Sequence, residues 1–185
     1  NHFLFTIDVE DWFQVENMKL SIPFDAWHLH ELRVERNIHA LLDLFDEIGE
    51  ESPFPWTQKP DRPNAAQNHF NQQNQSNQRN QLTNSTNQPF FRATFFILGW
   101  IAKRLPYLIR EINSRGHEIA SHGINHRLCT TETPGRLRTE LFDSKKLLED
   151  IVGDEVAGYR APSFSVTNDI LKIIEDAEYR YDASY

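Results

Sequence analysis

Short apolar runs alternate with amphipathic, helix-periodic segments five times along this 185-residue chain. That alternation restricts the fold more than any other feature. Residues 3 to 9 are almost all apolar, aromatic or β-branched and read as a strand buried on both faces. Val34, Ile38, Leu41, Leu42, Phe45 and Ile48 then recur at helical spacing, with Gly49 as the expected stop. Residues 91 to 98 form a second strand-like run, followed by helical segments 100–104 and 106–115 and a break at Gly116. A short strand over 117–121 follows. Thr133 and Pro134 open a helix with Leu137, Leu141, Leu148, Ile151 and Val152 on one side and Gly153 at its end. Residues 156–160 are a fourth strand, Thr167 caps a last helix, and 179–183 make a fifth strand. Strict alternation predicts an α/β fold with a parallel sheet, either an open doubly wound sheet or a barrel.

One segment breaks the pattern. Pro53, Pro55, Pro60 and Pro63 interrupt any regular element, and residues 64 to 88 hold eight Asn and seven Gln in 25 positions. So little apolar surface cannot offset the entropy of ordering. Strand-like sequence resumes directly after it, so the expectation is one domain over 1–185 carrying a disordered surface insertion at about 58–89. A formal charge of −8 argues against a nucleic-acid surface, which needs clustered cations. No run approaches the roughly 18 apolar residues of a membrane span. Cys129 is the only cysteine, which excludes an internal disulfide and suits either side of a membrane. Three residues from His126, it could ligate a metal, but a small half-buried residue is the expectation.

Polar residues collect where the strands end. Asp8, Glu10 and Asp11 follow the first strand, His122 and His126 the third, Arg160 the fourth, and Asp182 lies in the fifth. In parallel α/β folds the C-terminal rim of the sheet is where sites assemble. Two imidazoles and a carboxylate are a ligand set for catalytic zinc and also for non-haem iron. The helical protease motif requires Glu after the first His, and Gly123 stands there instead.

Thr6-Ile7-Asp8, Ser121-His122 through His126, Arg160-Ala161-Pro162 and Tyr181-Asp182 together resemble the motifs of the polysaccharide deacetylase family. This is the group of carbohydrate esterases that includes nodulation-type chitooligosaccharide deacetylases. Asp8-Val9-Glu10-Asp11-Trp12-Phe13, Ala93-Thr94-Phe95-Phe96 and the run from Gly116 to His122 are similar to a subgroup associated with exopolysaccharide loci. The resemblance implies a distorted (β/α) barrel, incomplete at its C-terminus, and a hydrolase that releases acetate from an N-acetylated polysaccharide or oligosaccharide. Its alternatives are an allantoinase-like amidohydrolase and a non-catalytic glycan-binding relative. It further implies a divalent metal, zinc first, on His122, His126 and a first-motif carboxylate. Asp8 would be the general base, Arg160 would pair with and orient it, and the Ser163 backbone N–H would face the oxyanion. The family has adjacent aspartates where this chain has Asp8-Val9-Glu10-Asp11, so Glu10 or Asp11 could be the third ligand; strand alternation puts Glu10 on the side of Asp8. The family's leaving-group histidine lies in a later motif that this sequence does not reach. Trp12, Phe13 and Trp56 could stack on sugar, and Asp182 could orient Arg160 or another group of the site.

Overall fold

The computed structural model describes residues 4–51 and 91–185. The predicted insertion at about 58–89 and Trp56 lie outside the described residues. Contacts divide the chain into two compact units, one of residues 1–42 with 92–185 and one of residues 43–91. In the second, the Phe45 and Phe91 rings meet with centroids 4.6 Å apart, tilted by 34°.

The first unit carries the sheet. Its strands are β1 (Phe5–Val9), β2 (Ala93–Ile97), β3 (Glu118–Ser121), β4 (Gly158–Tyr159) and β5 (Tyr181–Asp182). They lie in the order β1-β2-β3-β4-β5 and every neighbouring pair is parallel. Between them run α1 (Val34–Glu51), α2 (Gly99–Arg104) with α3 (Pro106–Ser114), α4 (Pro134–Val152) and α5 (Asn168–Asp176). A doubly wound sheet must reverse its strand order at a switch point. Here the order never reverses, which is the sequential parallel order of a barrel's arc.

Local chemistry explains the boundaries. Thr133 and Thr167 each accept a hydrogen bond from the backbone N–H three residues on, capping α4 and α5. Gly153 ends α4 in the left-handed region at φ 76°. Pro106 sits in the first turn of α3, where its missing donor costs nothing. Leu108, Ile109 and Ile112 of α3, Leu141 and Leu148 of α4 and Phe95, Phe96 and Ile97 of β2 are essentially without solvent exposure. Each such side chain is worth roughly 1.5–3 kcal/mol of burial.

Three expectations need correction. Leu4 and Phe5 are exposed, at 93% and 47%, because β1 is an outer strand and only its end at Val9 is buried. α1 does not stop at Gly49 but continues to Glu51, since one glycine inside a helix costs only about 1 kcal/mol. The fourth and fifth strands pair over two residues each, far less than their apolar runs suggested. The stretch between β1 and α1, silent in the periodicity, folds into two 3-10 turns at Glu16–Met18 and Phe24–Leu29.

Candidate active site and metal centre

Register brings the strand ends together. β1 pairs with β2 from Phe5 to Val9, β2 pairs with β3 through Ser121, and Ser121 pairs with Tyr159. The residues just past those pairs therefore share one rim. After β3 the chain is fixed tightly: His122 N–H donates to Ile97 O at 2.9 Å, and Gly99 N–H to Gly123 O at 2.8 Å. Gly123 takes φ 74°, and His126 is itself left-handed at φ 50°. The loop passes close to Gly99 on the facing element: a Cβ there would meet Ile124 Cα at 3.1 Å and Gly123 O at 3.3 Å, and Ile124 Cδ1 would have to swing aside. From α4, Glu140 Oε1 accepts the Ile124 and Asn125 N–H groups at 3.2 and 3.3 Å. This histidine loop is held by a carboxylate that the sequence did not single out.

Glu10, His122 and His126 converge, with one potential ligand atom from each lying within 4.8 Å of the others. The His122 Nδ1 lies 2.8 Å from Arg160 O. A carbonyl only accepts, so Nδ1 carries the hydrogen and Nε2 keeps its lone pair for the cluster. Burial pushes the His122 imidazole below its ordinary pKa, which favours the neutral ring that ligates metals. Burial alone would raise the Glu10 carboxyl, but the neighbouring His126 and then the His122 charge bring it below the usual carboxylate value. Glu10 Oε2 comes within 2.8 Å of His126 Nε2 without the alignment of a hydrogen bond, and it is buried with no other partner. An orphaned buried carboxylate oxygen is costly. Oxygen and nitrogen lone pairs converging without bonding one another are what a cation would satisfy, so the donor set fits a divalent metal.

Asp11, the other carboxylate considered, is engaged elsewhere. Its Oδ1 accepts Trp12 N–H at 2.9 Å, and its Oδ2 accepts Arg33 N–H at 2.6 Å and Val34 N–H at 3.0 Å. It is a cap for α1 supplied from 22 residues upstream. Asp8 stands beside the cluster, its Oδ1 2.8 Å from Arg160 Nη1. Arg160 also donates from Nη2 to Thr6 Oγ1 at 3.0 Å and from Nε to Ala183 O at 3.1 Å, and its guanidinium lies 4.0 Å from the Phe96 ring centroid. Asp182 does not bond Arg160. Its two oxygens accept the N–H and Oγ–H of Ser184, whose Oγ accepts Ala161 N–H at 2.8 Å, so it acts on the turn that carries Arg160.

A cavity of about 200 Å³ opens over these groups. Asp8, Glu10, His122, His126 and Ser163 line it, with Val15, Glu16, Asn17 and Phe164 completing the wall. Ser163 lies in the Pro162–Phe164 turn at φ 51°. Trp12 is not among the lining residues; its ring packs edge-on against Phe13 and His30 with Arg33 5.4 Å away. Phe13 is fully buried. Cys129 is buried, its Sγ 3.2 Å from Tyr159 Oη, and burial pushes the thiol pKa up. It lies outside the ligand cluster. Thr6 and Ser184 hold Arg160 and its turn, yet only structure shows this, since hydroxyls in strand-end segments have no distinguishing spacing.

The sequence profile described as polysaccharide deacetylase matches residues 66–181. The peptidoglycan-N-acetylglucosamine deacetylase of Bacillus cereus is 31% identical over 88 residues, 48% of this chain and 41% of that protein. The chitooligosaccharide deacetylase of a Bradyrhizobium strain is 29% identical over 80 residues, 43% of this chain and 36% of that protein. The chain thus spans less than half the length of these relatives. A Mycobacterium smegmatis crystal structure assigned by name to the polysaccharide deacetylases superposes with a TM-score of 0.62 over 97% of this chain and 49% of that one, at 22% identity. That likeness concerns the fold.

Proposed function

The chain belongs to the polysaccharide deacetylase family, and on that premise we propose that it hydrolyses the N-acetyl groups of a polysaccharide or oligosaccharide, releasing acetate. The observation that carries this reading is the convergence of Glu10, His122 and His126 within 4.8 Å beside the Asp8–Arg160 pair. Glu10, His122 and His126 would hold a divalent metal, zinc by preference for this nitrogen-rich set. Bound there, the cation supplies Lewis acidity toward the amide carbonyl and toward water.

The chain's own groups do the rest. Asp8 is the general base: one oxygen is held by Arg160, which leaves the other to take the proton of the attacking water. Arg160 orients Asp8 through its planar fork, with Thr6 and Ala183 O fixing the fork's direction. Ser163, in the cavity wall, offers its backbone N–H to the oxygen on which negative charge develops. Arg160 O fixes the His122 tautomer, so Nε2 is presented without a proton. The named relatives act on N-acetylglucosamine-containing peptidoglycan and on chitooligosaccharides, which supports an N-acetylated glycan as substrate.

The test is acetate release from N-acetylated oligosaccharides after loading with zinc, together with the zinc retained per chain after dialysis. Acetate release, and retention that is lost in the His122→Ala and His126→Ala variants, are expected. No release combined with retention indifferent to both histidines would refute the proposal.

A further inference from the structure

The loop that carries the two histidines is secured unevenly. His122 continues the β3 ladder: its N–H donates to Ile97 O at 2.9 Å, and beside it Arg160 N–H donates to Ser121 O at 2.9 Å. Gly123 N–H donates to Ser121 Oγ at 3.2 Å. The carbonyls of Gly123 and Ile124 accept the Gly99 and Trp100 N–H groups of α2 at 2.8 and 2.9 Å. There the backbone ladder ends. Among the described residues, neither Asn125 nor His126 takes part in a backbone-to-backbone hydrogen bond. Yet His126 is left-handed at φ 50°, a conformation that a non-glycine residue keeps only when its surroundings impose it.

The support comes from α4. Glu140 Oε1 accepts both Ile124 N–H and Asn125 N–H, at 3.2 and 3.3 Å, directly before His126. One turn further along the same helix face, Ser144 Oγ lies 2.8 Å from Ser121 Oγ, directly before His122. Ser144 is without solvent exposure, as are Leu141 and Leu148, so the carboxylate projects from a well-packed helix. Hydrogen bonds to an ionised acceptor are roughly twice as strong as neutral ones. We infer that Glu140 is a positioning residue for the candidate metal centre: it holds the 124–125 backbone and so places His126 Nε2 opposite Glu10 Oε2, 2.8 Å away, whereas the sheet places His122 without it. The inference rests on the proposed function for what the cluster binds.

Zinc affinity, measured by competition with a chromophoric chelator, reads this placement. Groups that orient a metal's ligands typically set affinity by about 10–100-fold, so Glu140→Ala is expected to weaken zinc by about that factor. Glu140→Gln keeps the accepting oxygen and is expected to stay within about threefold of the wild type. Cobalt(II) in place of zinc should give an altered visible spectrum in Glu140→Ala and an unaltered one in Glu140→Gln. Ile109→Val, which trims a fully buried side chain of α3, lowers stability without touching the loop and is expected to leave zinc affinity unchanged. In the metal-free wild type, which needs no variant to fold, the Ile124 and Asn125 amides should resist hydrogen exchange as His122 does. Zinc bound as tightly by Glu140→Ala as by the wild type, an equal loss in Ile109→Val, or Ile124 and Asn125 amides that exchange as freely as those of an exposed loop, would overturn the inference. Zinc affinity that depends on Glu140 without acetate release would uphold it and count against hydrolysis; acetate release with zinc affinity indifferent to Glu140 would do the reverse.

Discussion

Removing the Asp11 carboxylate and removing the Glu10 carboxylate should have opposite consequences, although the two residues are adjacent. Asp11 is 3% exposed and accepts three backbone N–H groups, two of them where α1 begins, from Arg33 just before it and from Val34, its first residue. Losing an N-cap costs about 0.5–2 kcal/mol, and a buried donor left unpaired adds about 1–3 kcal/mol. Val34, one of the three donors' residues, is itself buried, so Asp11→Ala should cost about 3 kcal/mol. For a chain of this size that is a fall of about 6–12 °C in melting temperature. Zinc at about a hundred times its dissociation constant should then raise the melting point of Asp11→Ala as much as that of the wild type, by about 2.7 kcal/mol in stability. Glu10→Gln should melt less far below wild type without metal than Asp11→Ala does, since it loses the pairing with His126 that holds its carboxyl below the usual value but leaves no backbone donor of α1 unpaired. It should lose the zinc-dependent rise. Differential scanning calorimetry with and without zinc reads both effects. An Asp11→Ala variant that keeps its melting point but loses the zinc response would refute the division of labour.

Arg160→Lys should reduce acetate release by about a hundredfold or more, because a lysine cannot reach Asp8, Thr6 and Ala183 O together, and removing oriented acid–base help costs about that much; initial rates at saturating substrate check it. Gly158→Ala drives a methyl into the Tyr181 ring and should destabilise the chain by about 1–3 kcal/mol, seen in urea midpoints, with Tyr181→Ala restoring part of the loss. Burial pushes Tyr179 up to about 12 from 10 and also raises Tyr159. A folded-state pKa above the unfolded one means that stability is fully present below pH 10 and falls as pH rises toward about 12, by about 3 kcal/mol for Tyr179. Thermal melts across that window, followed with phenolate absorbance, should show unfolding and ionisation together. Ionisation of Tyr159 or Tyr179 while the fold persists near pH 10 would contradict it.

Most of the rim was legible from residue spacing, because strand and helix periodicities fix which residues fall at strand ends. The histidine pair, Asp8 and Arg160 were found that way, and alternation along β1 already favoured Glu10. What escaped is of two physical kinds. Asp11 bonds Arg33 and Val34, and Glu140 bonds Ile124 and Asn125; side-chain to backbone bonds across 15 to 23 residues leave no periodic trace. The 3-10 turn at Glu16–Met18, which helps wall the cavity over the site, is short and irregular, so Val15, Glu16 and Asn17 carried no pattern to read. Phe5 looked like core because an apolar run does not say whether its strand has a neighbour on each side.

Arg160 touches the site twice with different parts of itself, its guanidinium on Asp8 and its carbonyl on His122. Only the first contact belongs to the side chain. Mutation can erase the guanidinium but not the peptide oxygen, which every residue type provides. A lineage that lost this arginine would thus forfeit the base's alignment while its metal seat stayed intact. On the proposed function, loss of the guanidinium should therefore leave behind folded descendants that keep the Glu10, His122 and His126 cluster.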